Sequence, residues 1–179
     1  ELTERPQKRY DDTDLILSTI CEHGYDSREG RAAIRQMNRI HGRFEITNDD
    51  LLYVLSAVTF EPIRWNERFG WRPLIDVERE STFLFWRAVG RLMAIRDIPE
   101  TYEQFERFNR EYERWHFAFT PEGRAVGVAT RNLFLSWFGV PHRIGSPFVH
   151  ALMDDALLQA MGFRPPPRAV RSTVEENLD

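Results

Sequence analysis

The chain has 179 residues, 42% hydrophobic and 13% aromatic, a composition that suits one folded domain around a single core and excludes a disordered segment. Its 24 basic and 28 acidic residues leave a formal charge of −4, which excludes a general nucleic-acid binder with a basic face for phosphate. One cysteine, Cys21, excludes an intrachain disulfide and a cysteine-rich metal site, and its apolar surroundings predict a small buried core residue.

No segment shows sustained period-2 alternation, and helix start and stop signals recur along the whole chain. The first helix is predicted from about Asp11 to His23, with an acidic first turn and Gly24 as its stop. The second runs from near Ser27 to near Gly42. Asn48 then reads as an N-cap for a third helix, Asp49 to about Phe69. This is the most apolar segment, and Pro62 should kink it or break it. A fourth helix spans about Asp76 to Arg96, with Gly90 as a close-packing point. Thr101 and Gln104 form a capping-box pattern for the fifth. Thr120 with Pro121 opens the sixth, and Ser146 with Pro147 the seventh, which Gly162 stops. Pro165, Pro166 and Pro167 end the helical pattern. The expectation is an all-α, single-domain bundle of about seven helices over residues 1–167, followed by a polar surface tail, 168–179.

The longest apolar stretch, Leu51 to Phe60, falls short of the roughly 18 residues of a membrane span. No signal peptide is read at the start. The sequence opens on Glu1 rather than methionine, so an upstream segment is expected.

Candidate chemistry starts with His41. On a helix, Asn38, Met37 and Ile34 share its face, while Arg28, Arg35, Arg39 and Arg43 fall opposite. Gly30, further back on the same face, should leave space. An inward imidazole with apolar walls and a gap suits a flat apolar cofactor. It equally suits a core histidine bonded to a carbonyl, or a helix C-terminal residue favoured by the dipole. Spacing leaves both readings open.

Other constellations are weaker. Glu113-Arg114-Trp115-His116 is the Glu-x-x-His unit of di-iron bundles, but no second copy exists. Glu61 beside Pro62 is a carboxylate in the most apolar helix, best read as paired with an arginine such as Arg64 or Arg87. His23 and His142 read as exposed. His150 reads as a packing or surface residue. The tryptophans Trp65, Trp71, Trp86, Trp115 and Trp137 read mostly as core or interface bulk.

The run Gly30-Arg31-Ala32-Ala33-Ile34-Arg35-Gln36-Met37-Asn38-Arg39-Ile40-His41 resembles the haem-ligand helix of the MpaB-like oxygenases. Asn48-Asp49-Asp50-Leu51-Leu52-Tyr53-Val54-Leu55 and Glu61-Pro62-Ile63-Arg64-Trp65 look like the segment that follows it there. Upstream, Arg9-Tyr10-Asp11-Asp12-Thr13 resembles the Arg-x-x-x-Thr element of the related rubber oxygenases. Asp97-Ile98-Pro99, Tyr112-Glu113-Arg114-Trp115-His116-Phe117 and Ala151-Leu152-Met153-Asp154 continue the likeness in order.

The resemblance implies a haem b-dependent oxygenase that uses molecular oxygen to cleave a carbon–carbon double bond in an apolar, isoprenoid-like small molecule. His41 would be the axial ligand of the haem iron, with Ile34, Met37 and Arg31 lining the haem pocket inside the bundle. Arg9 and Thr13 would be the distal catalytic pair. Arginine supplies nearly all the positive charge, Lys8 being the only lysine, and its fork suits haem propionates. Two departures stand out. Asp12 occupies the place of a lysine that can close the sixth iron position in rubber oxygenases, and their proposed glutamate base would lie upstream of Glu1. The alternatives are a non-catalytic haem-binding or helical binding domain, and a di-iron carboxylate protein. The resemblance also implies a cytoplasmic location, with peripheral membrane association through the upstream segment.

Overall fold

The computed structural model describes residues 3–178, so residue 179 of the expected tail lies outside the described residues. Among the described residues there are nine helices and no strand: α1 Pro6–His23, α2 Arg28–His41, α3 Asn48–Phe69, α4 Asp76–Leu92, α5 Tyr102–His116, α6 Pro121–Trp137, α7 His142–Leu152, α8 Asp155–Ala160 and α9 Arg168–Leu178. The protein is all-α. It divides into a central compact unit, Asp12–Tyr112, and a terminal one made of Glu1–Asp11 with Glu113–Asp179.

The central unit has two adjoining apolar clusters. Leu52, Leu55, Phe60 and Ile63 of α3 meet Phe83 of α4, Ile95 and Phe105 of α5. Ile16 and Ile20 of α1 meet Ala33 and Ile34 of α2 and Val89 of α4, and Trp86 and Met93 pack against both clusters. Gly90 permits the close approach that its position in α4 predicts. A Cβ there would stand 2.3 Å from Leu55 Cδ2.

The terminal unit is assembled from α6, α7, α8 and α9 with the first residues of α1. Leu135, Val149, Ala151, Leu158 and Phe163 are its buried apolar residues. Thr120 caps α6 by accepting the Gly123 N–H at 2.9 Å, and Pro121 sits in the first turn, where a missing N–H costs nothing. Trp137 stacks edge-on against Tyr10, and its Nε1 donates to Gln7 Oε1 at 2.8 Å.

The differences from the expected elements have local causes. α1 begins at Pro6, five residues before Asp11. Thr47, not Asn48, caps α3 by accepting from the Asp50 N–H at 3.1 Å. Asn48 instead exchanges two hydrogen bonds with the Arg96 backbone, at 3.2 and 2.9 Å, tying α3 to the loop after α4. α3 runs through Pro62 without a break. Pro62 is exposed, and on that side solvent can hydrate a carbonyl left without its donor. α4 stops at Leu92 because the chain turns through left-handed backbone at Ala94 and Asp97.

The seventh predicted helix is two helices. α7 starts at His142 with Pro147 inside it, and Ser146 bonds back to the His142 carbonyl rather than capping. Asp154 caps α8, accepting from the Leu157 N–H at 2.7 Å. The expected surface tail is helical as α9, and it packs on α7. Cys21 is exposed rather than buried, because its helix presents Ile16 and Ile20 to the core and turns Cys21 away. The tryptophans are mostly not core: Trp71 is 85% and Trp115 77% exposed, and Trp65 and Trp137 are also exposed.

Candidate functional site

α2 begins tightly against the turn that ends α1. Ser27 Oγ accepts the Gly30 N–H and donates to the Gly24 carbonyl, both at 2.9 Å. Gly24 has φ +83°, a left-handed conformation that glycine adopts without strain. A Cβ on Gly30 would stand 2.0 Å from the Gly24 carbonyl oxygen. The gap expected at Gly30 is therefore filled by backbone, and Gly30 is a packing glycine rather than part of a cofactor slot.

The other residues expected around a cofactor separate along α2. Arg31 is exposed, and its Nε donates to the Asp26 carbonyl at 3.0 Å, bracing the loop between α1 and α2. Ile34 is 2% exposed within the cluster of Ile16, Ile20, Ala33 and Val89. Met37 is half-buried against that cluster. Asn38 Nδ2 donates to the Leu92 carbonyl at 3.0 Å and pins the end of α2 to the end of α4. One turn after Met37, His41 closes α2, half-buried, with Nδ1 out of contact with solvent.

This donor set would suit a group held by one histidine: it offers an imidazole with a buried ring nitrogen, a half-buried thioether one turn away, and an adjoining apolar cluster. Ile34 is too deep in the core to offer such a group an open surface. Thr13 is half-buried on α1, and Asp12 beside it is exposed. Arg9, one turn before Thr13 on α1, is half-buried and belongs to the terminal unit.

Residues 1–175 match the family described as ER-bound oxygenase mpaB/B′/rubber oxygenase, catalytic domain. The chain belongs to this family. It is 27% identical to the ER-bound oxygenase mpaB′ of Penicillium brevicompactum, over 89% of this chain and 42% of that protein. It is 28% identical to the ER-bound oxygenase mpaB of Penicillium roqueforti (strain FM164), over 86% of this chain and 57% of that protein. The chain thus spans about half the length of the curated relatives it matches.

In this oxygenase-family chain, Glu61 lies outside the buried core. It is exposed and paired with Arg64 Nη1 at 2.6 Å, the arginine pairing that its sequence position suggests. Arg64 Nη2 also donates to Asn109 Oδ1 at 2.7 Å, and Asn109 Nδ2 donates to Ser56 Oγ at 2.9 Å. Asn109 is fully buried, so these bonds supply what water would otherwise give. The sequence reading passed over Asn109, although its spacing from Phe105 and Tyr112 puts it on the inward face of α5. Tyr112 donates to the Asp50 carboxylate. Burial first, then that hydrogen bond, push its phenol up to about 12.

The di-iron alternative gains no partners. Glu113 is half-buried and His116 exposed, and among the described residues no three His, Cys, Asp or Glu side chains are grouped to hold a metal ion. His23 and His142 are exposed, as their positions suggest, whereas His150 is 8% exposed and stacks on Phe163 at 4.5 Å.

Proposed function

We propose that the chain is the catalytic domain of a haem b-dependent oxygenase that cleaves a carbon–carbon double bond of an apolar, isoprenoid-like small molecule. The observation that carries this reading is the family match over residues 1–175. The half-buried His41 at the end of α2 supports it, because it gives the cofactor one imidazole beside apolar packing. Haem, when bound, supplies activation of molecular oxygen.

The protein's own residues divide the remaining work. His41 holds the iron, and Met37 borders the cofactor one turn away. Arg9 carries a permanent charge with five donors, suited to stabilising negative charge that develops on oxygen during turnover. Thr13 Oγ1 donates or accepts a hydrogen bond as that charge changes. Asp12 offers a carboxylate where rubber oxygenases have a lysine, so it cannot act as an amine ligand. The relatives named ER-bound support peripheral association with a membrane on its cytoplasmic side. Among the described residues no helix is long and apolar enough to cross one.

The test is an absorption spectrum of the purified chain with pyridine-haem and total iron analysis. The expected result is a Soret band and about one iron per chain, all in porphyrin, as one axial histidine implies. Two non-haem irons without a porphyrin band, or no cofactor after reconstitution with hemin, would overturn the reading. Arg9→Ala should keep its haem but slow oxygen-dependent turnover by roughly 10²-fold, the scale for one preorganised charge-stabilising donor. Unchanged oxygen consumption would remove Arg9 from catalysis.

A further inference from the structure

The terminal unit holds a cavity of about 360 Å³ that belongs to no part of the reading above. Its walls carry Arg131, Arg143, Arg164, His142, Ser146 and His150, closed on one side by the Pro165–Pro167 run, and no Asp or Glu lines it. None of the three arginines has an ion-pair partner among the described residues. Arg131 spends Nε and Nη2 on Asn132 Oδ1, at 3.2 and 3.0 Å, and lies 5.3 Å from the Phe163 ring centre. The first turn of α7, which supplies His142 and Arg143, has no side-chain cap and no acidic residue, so the positive end of that helix is left uncompensated.

His150 decides what kind of anion suits this place. Its ring stacks on Phe163, and its Nδ1 faces the Arg164 carbonyl oxygen at 3.2 Å. A carbonyl oxygen only accepts, so Nδ1 carries the proton and donates. Burial, then the nearby Arg131 charge, push the imidazole below its ordinary value, which favours the neutral ring. Nε2 is then a bare acceptor, and it is buried with no hydrogen-bond partner among the described residues. A matching ligand must bring oxygen acceptors for the arginines and one O–H donor for Nε2. An ionised carboxylate has no such donor, and neither does sulfate. A singly protonated phosphate has both.

We propose that this cavity is a binding site for a phosphomonoester, its P–OH directed to His150 Nε2 and its anionic oxygens to Arg131, Arg143 and Arg164. The volume is in the range of small-molecule pockets and exceeds what a bare phosphate fills, which favours the ester over the free ion. This site does not depend on haem, so the proposed oxygenase activity can fail without affecting it.

The experiment is a titration of the purified chain at about pH 6, where a phosphomonoester keeps about half of its second proton, following the His150 ring resonances by NMR. The probes are phenyl phosphate, inorganic phosphate, sulfate and acetate. Phenyl phosphate should bind most tightly, and inorganic phosphate should exceed sulfate by roughly 10-fold, the scale of one hydrogen bond in a charged site. Arg131→Gln with Arg143→Gln should weaken phosphate by at least about 10-fold. His150→Phe, which keeps the stack on Phe163, should bring phosphate and sulfate to equal affinity, read by calorimetry. Sulfate or acetate binding as tightly as phosphate to the unaltered chain would overturn the proposal whether or not the variants fold. Inorganic phosphate binding more tightly than phenyl phosphate would overturn the ester assignment.

Discussion

In the central unit the side chains sealed from solvent are large: Phe60, Phe83 and Phe105 meet edge-on or tilted, with Leu52, Leu55 and Ile63 around them. In the terminal unit the sealed positions include smaller ones, Val149 and Ala151 beside Leu135, Leu158 and Phe163, and α6 and α7 make their close approaches through Gly127 and Gly145. Two buried polar side chains are treated differently. Asn109 in the central unit is buried with its amide satisfied from both sides, whereas His150 in the terminal unit is buried with Nε2 unbonded among the described residues. A satisfied buried polar group fixes a core, and an unsatisfied one calls for an explanation. The central unit is built for packing, and its candidate chemistry sits where α2 runs out.

The largest effect that would break this comparison comes from a fully buried ring. Phe105→Ala should cost about 3–5 kcal/mol of stability, the range for removing a buried aromatic. Val149→Ala in the terminal unit should cost less, about 1.5–2 kcal/mol for two methyl groups. Urea unfolding of both variants checks the contrast, and equal losses would remove it. Next in size is Asn109→Ala, which leaves Ser56 and Arg64 without their shared partner and should cost about 1–3 kcal/mol. A loss of a few tenths would mean that the Asn109 bonds matter little to the core.

The smallest effect is a pH dependence at the start of α4. Glu78 accepts from Arg72 at 2.7 and 2.8 Å and from the Ile75 N–H at 2.9 Å. Those bonds, led by Arg72, hold its carboxyl at about 2, below the ordinary 4.5. Its contribution is therefore fully present above about pH 4.5 and is lost as pH falls through about 2. With both side chains still partly open to solvent, the pair contributes little. Glu78→Gln should flatten the urea midpoint across that window, and an unchanged slope would assign the acid sensitivity to other carboxylates.

Features set by neighbouring residues were legible in the sequence. Ser27 and Gly42 bound α2 as read, and Thr120 with Pro121 opens α6, because caps and proline act through adjacent backbone. Features set by distant partners were not. Asn48 looks like a cap in isolation, but Arg96, far along the chain, claims its side chain. Gly30 looks like a gap on the His41 face until the Gly24 carbonyl occupies it. The His150 cavity draws on α6, α7 and the proline run, and no local pattern joins those segments. The run from Gly30 to His41 was legible as a helix, and His41 is half-buried at its end.

The most direct measurement is the pyridine-haem content of His41→Ala beside the unaltered chain, after both are reconstituted with hemin and desalted. His41 is half-buried at a helix end, so the substitution should leave the helical circular-dichroism signal intact. The expected result is about one haem per unaltered chain and a near-complete loss in the variant, because in the proposed reading a single imidazole would be the only protein bond to iron. Equal haem in both proteins, with the Soret band unmoved, would contradict the assignment of His41 as the ligand.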